Sequence, residues 1–128
     1  MSAHTVRAPG LAKLMLEARA PWELAALWVA EPFLRHLPPG DGHPVMVIPG
    51  LAANDVSTLP MRRFLQRRGF EACPWNFGFN LGPRRGVLRG CVEHVRELAE
   101  HHGGRVSLIG WSLGGIYARE IAKLVPEH

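Results

Sequence analysis

Gly110-Trp111-Ser112-Leu113-Gly114 sets a serine between an apolar run, Val106 to Ile109, and a helical pattern from Ile116 to Val125. A strand, a sharp turn and a helix in that order can present a hydroxyl as a nucleophile. Such a turn holds the serine in a strained backbone conformation, and a side chain two positions away on either side would collide with the chain. Gly110 and Gly114 remove those collisions, and Gly115 allows further close approach. The first amides of the following helix point at the same spot, where the negative charge of a tetrahedral intermediate would develop. The chemistry this spacing predicts is acyl transfer through the Ser112 hydroxyl. The plainer reading of the same residues, a glycine-rich loop that packs helix on strand, accounts less well for a serine at the apex.

Three other groups of residues have chemistry to weigh. Trp75, Phe77 and Phe79 follow a strand at its carboxyl end, where ligands of open α/β sheets bind, so they either line an acyl pocket or plug the core under a long loop. His94, Glu97 and His101 share one helix face. That face lies opposite the apolar stripe and reads as solvated surface, so no metal site and no cofactor are expected. Cys73 and Cys91 stand in unlike contexts and read as buried, reduced thiols.

The elements that must position Ser112 follow from hydrophobic period. Val45 to Ile48 is continuously apolar and ends at Pro49-Gly50, the pattern of a strand buried on both faces. A helix with Ser57 or Thr58 as its cap carries Met61, Phe64 and Leu65 inward and stops at Gly69, and Phe70 to Trp75 is the next strand. Leu88, Cys91, Val92, Val95, Leu98 and Ala99 form a helical stripe stopped by Gly103-Gly104. Strands alternating with helices predict an α/β fold with a parallel sheet of about three strands and right-handed crossovers. Residues 1–43 read as an amino-terminal helical segment and linker, with Leu24, Leu27, Trp28 and Phe33 on its apolar side, and residues 44–128 as the α/β domain.

Composition narrows the function classes. With 128 residues there is room for one modest core. The net charge of +4 comes from arginine pairs such as Arg62-Arg63, Arg67-Arg68 and Arg84-Arg85 without a nucleic-acid motif, so these read as solvated surface and no nucleic-acid partner is expected. The amino terminus has no signal-type apolar core and no stretch reaches membrane-spanning length, which makes the cytoplasm the expected location. Peripheral contact of the amino-terminal helix with a membrane is less favoured than its packing on the domain.

From about Pro44 to Pro126 the chain resembles the α/β-hydrolase family, in its bacterial lipase and esterase branch. VMVIPGLAAND looks like the strand and oxyanion loop, and VSLIGWSLGGIYAREIA like the nucleophile strand, turn and helix. The resemblance implies Ser112 as catalytic nucleophile, the backbone amides of Leu51 and Leu113 as oxyanion donors, an ester or lipid substrate, and a sheet with Val45 to Ile48 in the centre, Phe70 to Trp75 on one side and Val106 to Ile109 on the other. Where many relatives carry a histidine before the loop glycine, this chain has Pro49, which keeps the amides and changes how the loop is braced. In the family an acid and then a histidine follow the serine. Few residues follow Ser112 here, so the chain is expected to be the amino-terminal half of a hydrolase, without its triad acid and base. Asp41, His43, His36, Asp55 and His128 are not expected to replace them. Asp55 should cap a turn with Asn54, and His43 should lie at the opposite edge of the sheet. An acyltransferase or a haloperoxidase-like protein would share Ser112 and its turn. From a different class comes a non-catalytic hydrolase-like module that associates with itself, or with the missing carboxyl-terminal half, through an open sheet edge.

Overall fold

A run of apolar residues with no polar position is stable as a strand only where both faces of its sheet are covered. In the computed structural model, which describes residues 25–26, 29–30 and 32–128, the run is β1 (Pro44–Ile48) and all five of its residues are buried. β2 (Glu71–Pro74) pairs with it on one side, from Pro44↔Glu71 to Val47↔Pro74. β3 (Ser107–Gly110) pairs on the other, from Val45↔Ser107 to Ile48↔Gly110. Both pairings are parallel, and the order is β2-β1-β3 with the expected strand in the centre. Parallel pairing requires a crossover between successive strands, and helices supply it. These are α1 (Leu59–Arg67) before β2 and α2 (Val87–His102) before β3, with α3 (Leu113–Leu124) following β3.

The core lies between β1 and the last two helices. Met46 and Ile48 meet Cys91 and Val95 of α2 and Ile121 of α3, all fully or almost fully buried, and Trp75 joins them from the end of β2. The four buried residues of α2, Cys91, Val92, Val95 and Ala99, belong to the stripe read from the sequence. The helix stops at Gly103, whose φ of 64° is a left-handed conformation that glycine adopts without steric cost, and the Gly104 amide then closes on the Ala99 carbonyl at 3.1 Å. Neither cysteine is in a disulfide, and burial pushes the Cys91 thiol up to about 11.

Element ends differ from the sequence reading for local reasons. β3 begins at Ser107, one residue later than expected, because the Val106 amide donates to the His128 carbonyl at 2.7 Å and so leaves the ladder. The helix after Ser112 starts at Leu113 rather than near Ile116, since Gly114 and Gly115 carry no apolar side chain to mark its first turn. Thr58 stands at the cap position of α1 but does not cap it. Its hydroxyl donates to the Asp55 carbonyl at 3.1 Å and accepts from Arg62 Nε at 3.2 Å, and Pro60 reduces the number of amides in need of a cap.

Pro39–His128 forms one compact unit, distinct from Met1–Pro38. Residues 39–43 belong with the sheet because the Gly40 amide donates to the Arg68 carbonyl at 2.6 Å and His43 reaches Ser107. Of the expected amino-terminal helices, Ala25, Ala26, Val29, Ala30 and residues 32–34 are helical, whereas Leu24, Leu27 and Trp28 lie outside the described residues. No helix among the described residues is long and apolar enough to cross a membrane.

Candidate functional site

Ser112 has φ 52° and ψ −115°, a conformation that L-residues rarely adopt and that costs on the order of 1–3 kcal/mol. The structure holds it there by packing backbone on backbone. A β-carbon at Gly110 would overlap the carbonyl of Gly114 and the amide of Gly115. One at Gly114 would overlap the Ile48 carbonyl and stand 2.7 Å from that of Pro49, so the turn sits directly on the carboxyl end of β1. The Gly114 amide donates to the Trp111 carbonyl at 2.8 Å, and that of Gly115 to the Ser112 carbonyl at 2.9 Å. The Leu113 amide, the first of α3, is left without an acceptor among the described residues. A free amide beside a serine at a helix start is a ready donor to an oxyanion.

The second amide expected from the sequence is in the same condition. The Leu51 N–H has no acceptor among the described residues. The preceding residue, Gly50, lies against the turn, such that a β-carbon there would be 3.1 Å from Trp111 Cδ1 and 3.5 Å from Ser112 Cβ. Both amides are thus unpaired among the described residues, one in the turn itself and one in the loop whose Gly50 packs on it.

Asn80, which sequence reading missed, braces this loop. It is fully buried, its Nδ2 donates to the Pro49 carbonyl at 2.8 Å, and its backbone exchanges bonds with Ala52 and Ala53 at 2.7 and 2.8 Å. The Pro49 position therefore ties the loop down through its carbonyl. A lone asparagine in a loop has no period to betray it, and only its placement between apolar Phe79 and Leu81 hinted at an inward role. Asp55 also departs from expectation. Asn54 Oδ1 alone accepts the local turn amide, from Val56 at 3.1 Å, whereas the Asp55 carboxylate accepts from the Trp75 and Asn76 amides at 3.1 and 3.2 Å. Asp55 ties the oxyanion loop to the end of β2, whose terminal amides would otherwise lack partners.

The three aromatic candidates divide. Trp75 takes the core reading, being fully buried, with its indole N–H on the Gly78 carbonyl at 3.0 Å and its ring edge-on to Phe77 and Tyr117. Phe77 is half-buried against that core. Phe79 is exposed, as are Leu51 and Trp111, the residues that flank the serine in the two loops. The Tyr117 hydroxyl donates to the Gly82 carbonyl at 2.9 Å and fastens the long loop after β2 to α3.

Ser112 has no side-chain hydrogen bond among the described residues, so no base or acid is brought to it. His43 instead bonds Asp41 and Ser107 at the start of β3, the opposite end of the strand that leads to Ser112. His128 is held at the start of β3 by its carbonyl. On α2, His94 is less solvated than expected. Its ring is largely buried, Nδ1 lies 3.9 Å from Glu97, and Nε2 is buried without a partner. No group of three or more His, Cys, Asp or Glu side chains among the described residues is arranged to hold a metal ion. Comparison of the chain with protein-family models, with curated proteins and with solved structures returns no match.

Proposed function

We propose that the chain carries the nucleophile and oxyanion hole of a serine acyl hydrolase of the carboxylesterase or lipase type, built on the amino-terminal part of an α/β-hydrolase fold. The observation that carries this reading is Ser112 at φ 52° in a turn packed on Gly50, with the Leu51 and Leu113 amides unpaired among the described residues. Strain that the packing must hold in place is a common mark of a functional turn. The Ser112 oxygen attacks an ester carbonyl, the two amides receive the oxyanion, the alcohol departs and water resolves the acyl-serine. The base that takes the serine proton, and the acid that orients it, come from outside the described residues. Exposed Leu51, Trp111 and Phe79 make an apolar rim suited to an acyl chain. An acyltransferase of the same fold would differ only in offering the acyl group to another alcohol.

Imidazole can stand in for the base. With 4-nitrophenyl butyrate and a fixed imidazole concentration, an acyl group located by peptide fragmentation should form on Ser112, at least tenfold faster with imidazole than without it, and should be absent from position 112 in Ser112→Ala. No acyl group on Ser112 in the parent chain would sink the proposal.

A second reading, a module that associates through its sheet, is favoured by one observation. β3 is an edge strand, and beside it runs an apolar groove of about 400 Å³ lined by Val95, Val106, Leu108, Ala118 and Val125. An unprotected edge with apolar surface invites a further strand. Leu108→Lys should then shift the sedimentation profile at micromolar concentration toward the monomer. A chain that sediments as a monomer before the substitution excludes this reading.

A further inference from the structure

Ser112 has no base beside it among the described residues, whereas the serine that opens the preceding strand has both a base and an acid in place. Ser107 opens β3, and its hydroxyl lies 2.8 Å from His43 Nε2. The other ring nitrogen, Nδ1, lies 2.5 Å from Asp41 Oδ1. We propose that Asp41, His43 and Ser107 form a second nucleophilic site, independent of Ser112, at which the Ser107 oxygen accepts the acyl or phosphoryl group of an electrophilic ester.

The direction of the hydrogen bonds follows from the acid. Two donors within the chain meet Asp41 Oδ1, since the His43 backbone amide also reaches it at 3.1 Å. These bonds hold the Asp41 carboxyl below its ordinary range, with the backbone bond first and the imidazole second. An ionised carboxylate accepts only, so Nδ1 must carry the ring proton. In the neutral imidazole Nε2 is then the acceptor, and the Ser107 hydroxyl donates to it. This is the tautomer a general base requires.

Three segments fix the geometry. The turn Asp41-Gly42-His43 closes through Gly42 at φ 82°, which brings the carboxylate back onto the following residue. Phe70 stands edge-on to the His43 ring, with centroids 5.2 Å apart, and its other neighbour is Gly40, where a β-carbon would be 2.8 Å from the Phe70 ring. The register Val45↔Ser107 then sets the serine two positions along from His43 in the neighbouring strand. Ser107 is exposed and the His43 side chain is 34% exposed, so an ester can reach the oxygen from solvent. A purely structural tie between strand starts would need only one bond to the serine. The carboxylate on the far nitrogen adds nothing to such a tie and sets the base.

The step balances within the site and its substrate. As the Ser107 oxygen bonds to the phosphorus of an organofluorophosphate, the P–F bond breaks and fluoride leaves with the electron pair. The hydroxyl proton passes to His43 Nε2, and Asp41 faces the imidazolium so formed. With a nitrophenyl ester the same movement forms an acyl-serine and releases nitrophenolate.

The test is to treat the chain with diisopropyl fluorophosphate and follow intact mass and modified peptides with time. The expected adduct is on Ser107, forming at least tenfold faster than on Ser57. His43→Gln should slow it at least tenfold, and so should Asp41→Asn, which keeps an oxygen for the turn amide but removes the negative charge that faces the imidazolium. Asp41 acts here as a positioning residue, and circular dichroism unchanged in Asp41→Asn separates that role from loss of fold. Because Asp41 lies in an exposed turn, that variant decides the matter even if His43→Gln does not fold. Ser107 left unmodified, or modified at the parental rate in Asp41→Asn, overturns the proposal. An adduct on Ser112 alone also overturns it while supporting the reading of the turn, so the two can fail separately.

Discussion

Gly114→Ala should leave the chain unfolded, and Gly110→Ala should do the same. Each new methyl group would meet backbone: at Gly114 the carbonyls of Ile48 and Pro49, at Gly110 those atoms of Gly114 and Gly115 that begin α3. Backbone cannot turn aside as a flexible side chain can. Nor can β1 retreat, because it is hydrogen-bonded on both edges and buried along its whole length. Extra methylenes in an ordinary core cost about 1–3 kcal/mol when side chains can shift. Here the alternative is to separate α3 from β1, which would uncover Tyr117 and Ile121. A small domain holds only about 5–15 kcal/mol in all, and one with a three-stranded sheet belongs at the lower end. Gly104→Ala is the matched control, since nothing lies within 4 Å of a β-carbon there, and it should be neutral or stabilising by up to about 1 kcal/mol. Denaturant titrations followed by circular dichroism read all three. A Gly114→Ala chain with the parental midpoint would show that the turn does not sit on β1 as described.

What could be read from the sequence divides by the range of the interaction. The β1 run, the α2 stripe and the turn glycines are local patterns with a fixed period or a steric requirement, and the structure has each of them where expected. No local pattern carries the strand order; the central place of β1 is expected only from the resemblance, and the structure has it there. Polar side chains that reach across the chain were not legible. Asp55 bonds Trp75 and Asn76, Asn80 bonds Pro49, and His43 bonds Ser107, with sequence separations of 20 to 64 residues and no repeating pattern. His43 illustrates the limit. Its position at the amino end of β1 could be inferred, but that Ser107 would stand beside it depends on the register Val45↔Ser107, which no local pattern announces.

Asn80→Leu should cost about 2–6 kcal/mol and should loosen the loop at Pro49-Gly50 before it melts the fold. Leucine fills a similar volume, so the loss is one of hydrogen bonds. The Pro49 carbonyl would lose the Nδ2 donor at 2.8 Å and the Gly82 amide the Oδ1 acceptor at 3.3 Å, both at a residue with no exposed surface. Each buried group left without a partner costs about 1–3 kcal/mol. Asn80→Asp separates the two bonds. A carboxylate can still accept from Gly82, yet its other oxygen would face the Pro49 carbonyl, acceptor against acceptor, and the charge would be buried, so this variant should be at least as damaging. The backbone bonds of residue 80 to Ala52 and Ala53 remain in both variants and should keep the loop near its place. What loosens is Pro49-Gly50, the stretch that packs on the Ser112 turn and leads into the Leu51 amide, the oxyanion donor of the proposed site. Below the melting temperature of Asn80→Leu, imidazole-assisted acylation of Ser112 should therefore fall by about tenfold or more, because a donor that wanders stabilises an oxyanion poorly. Hydrogen exchange supplies the independent readout, with faster exchange than in the parent expected at Ala53, whose amide donates to the Gly50 carbonyl at 3.1 Å, and parental exchange at Ala52. Parental stability together with parental acylation in Asn80→Leu would show that the loop is held by something other than this side chain.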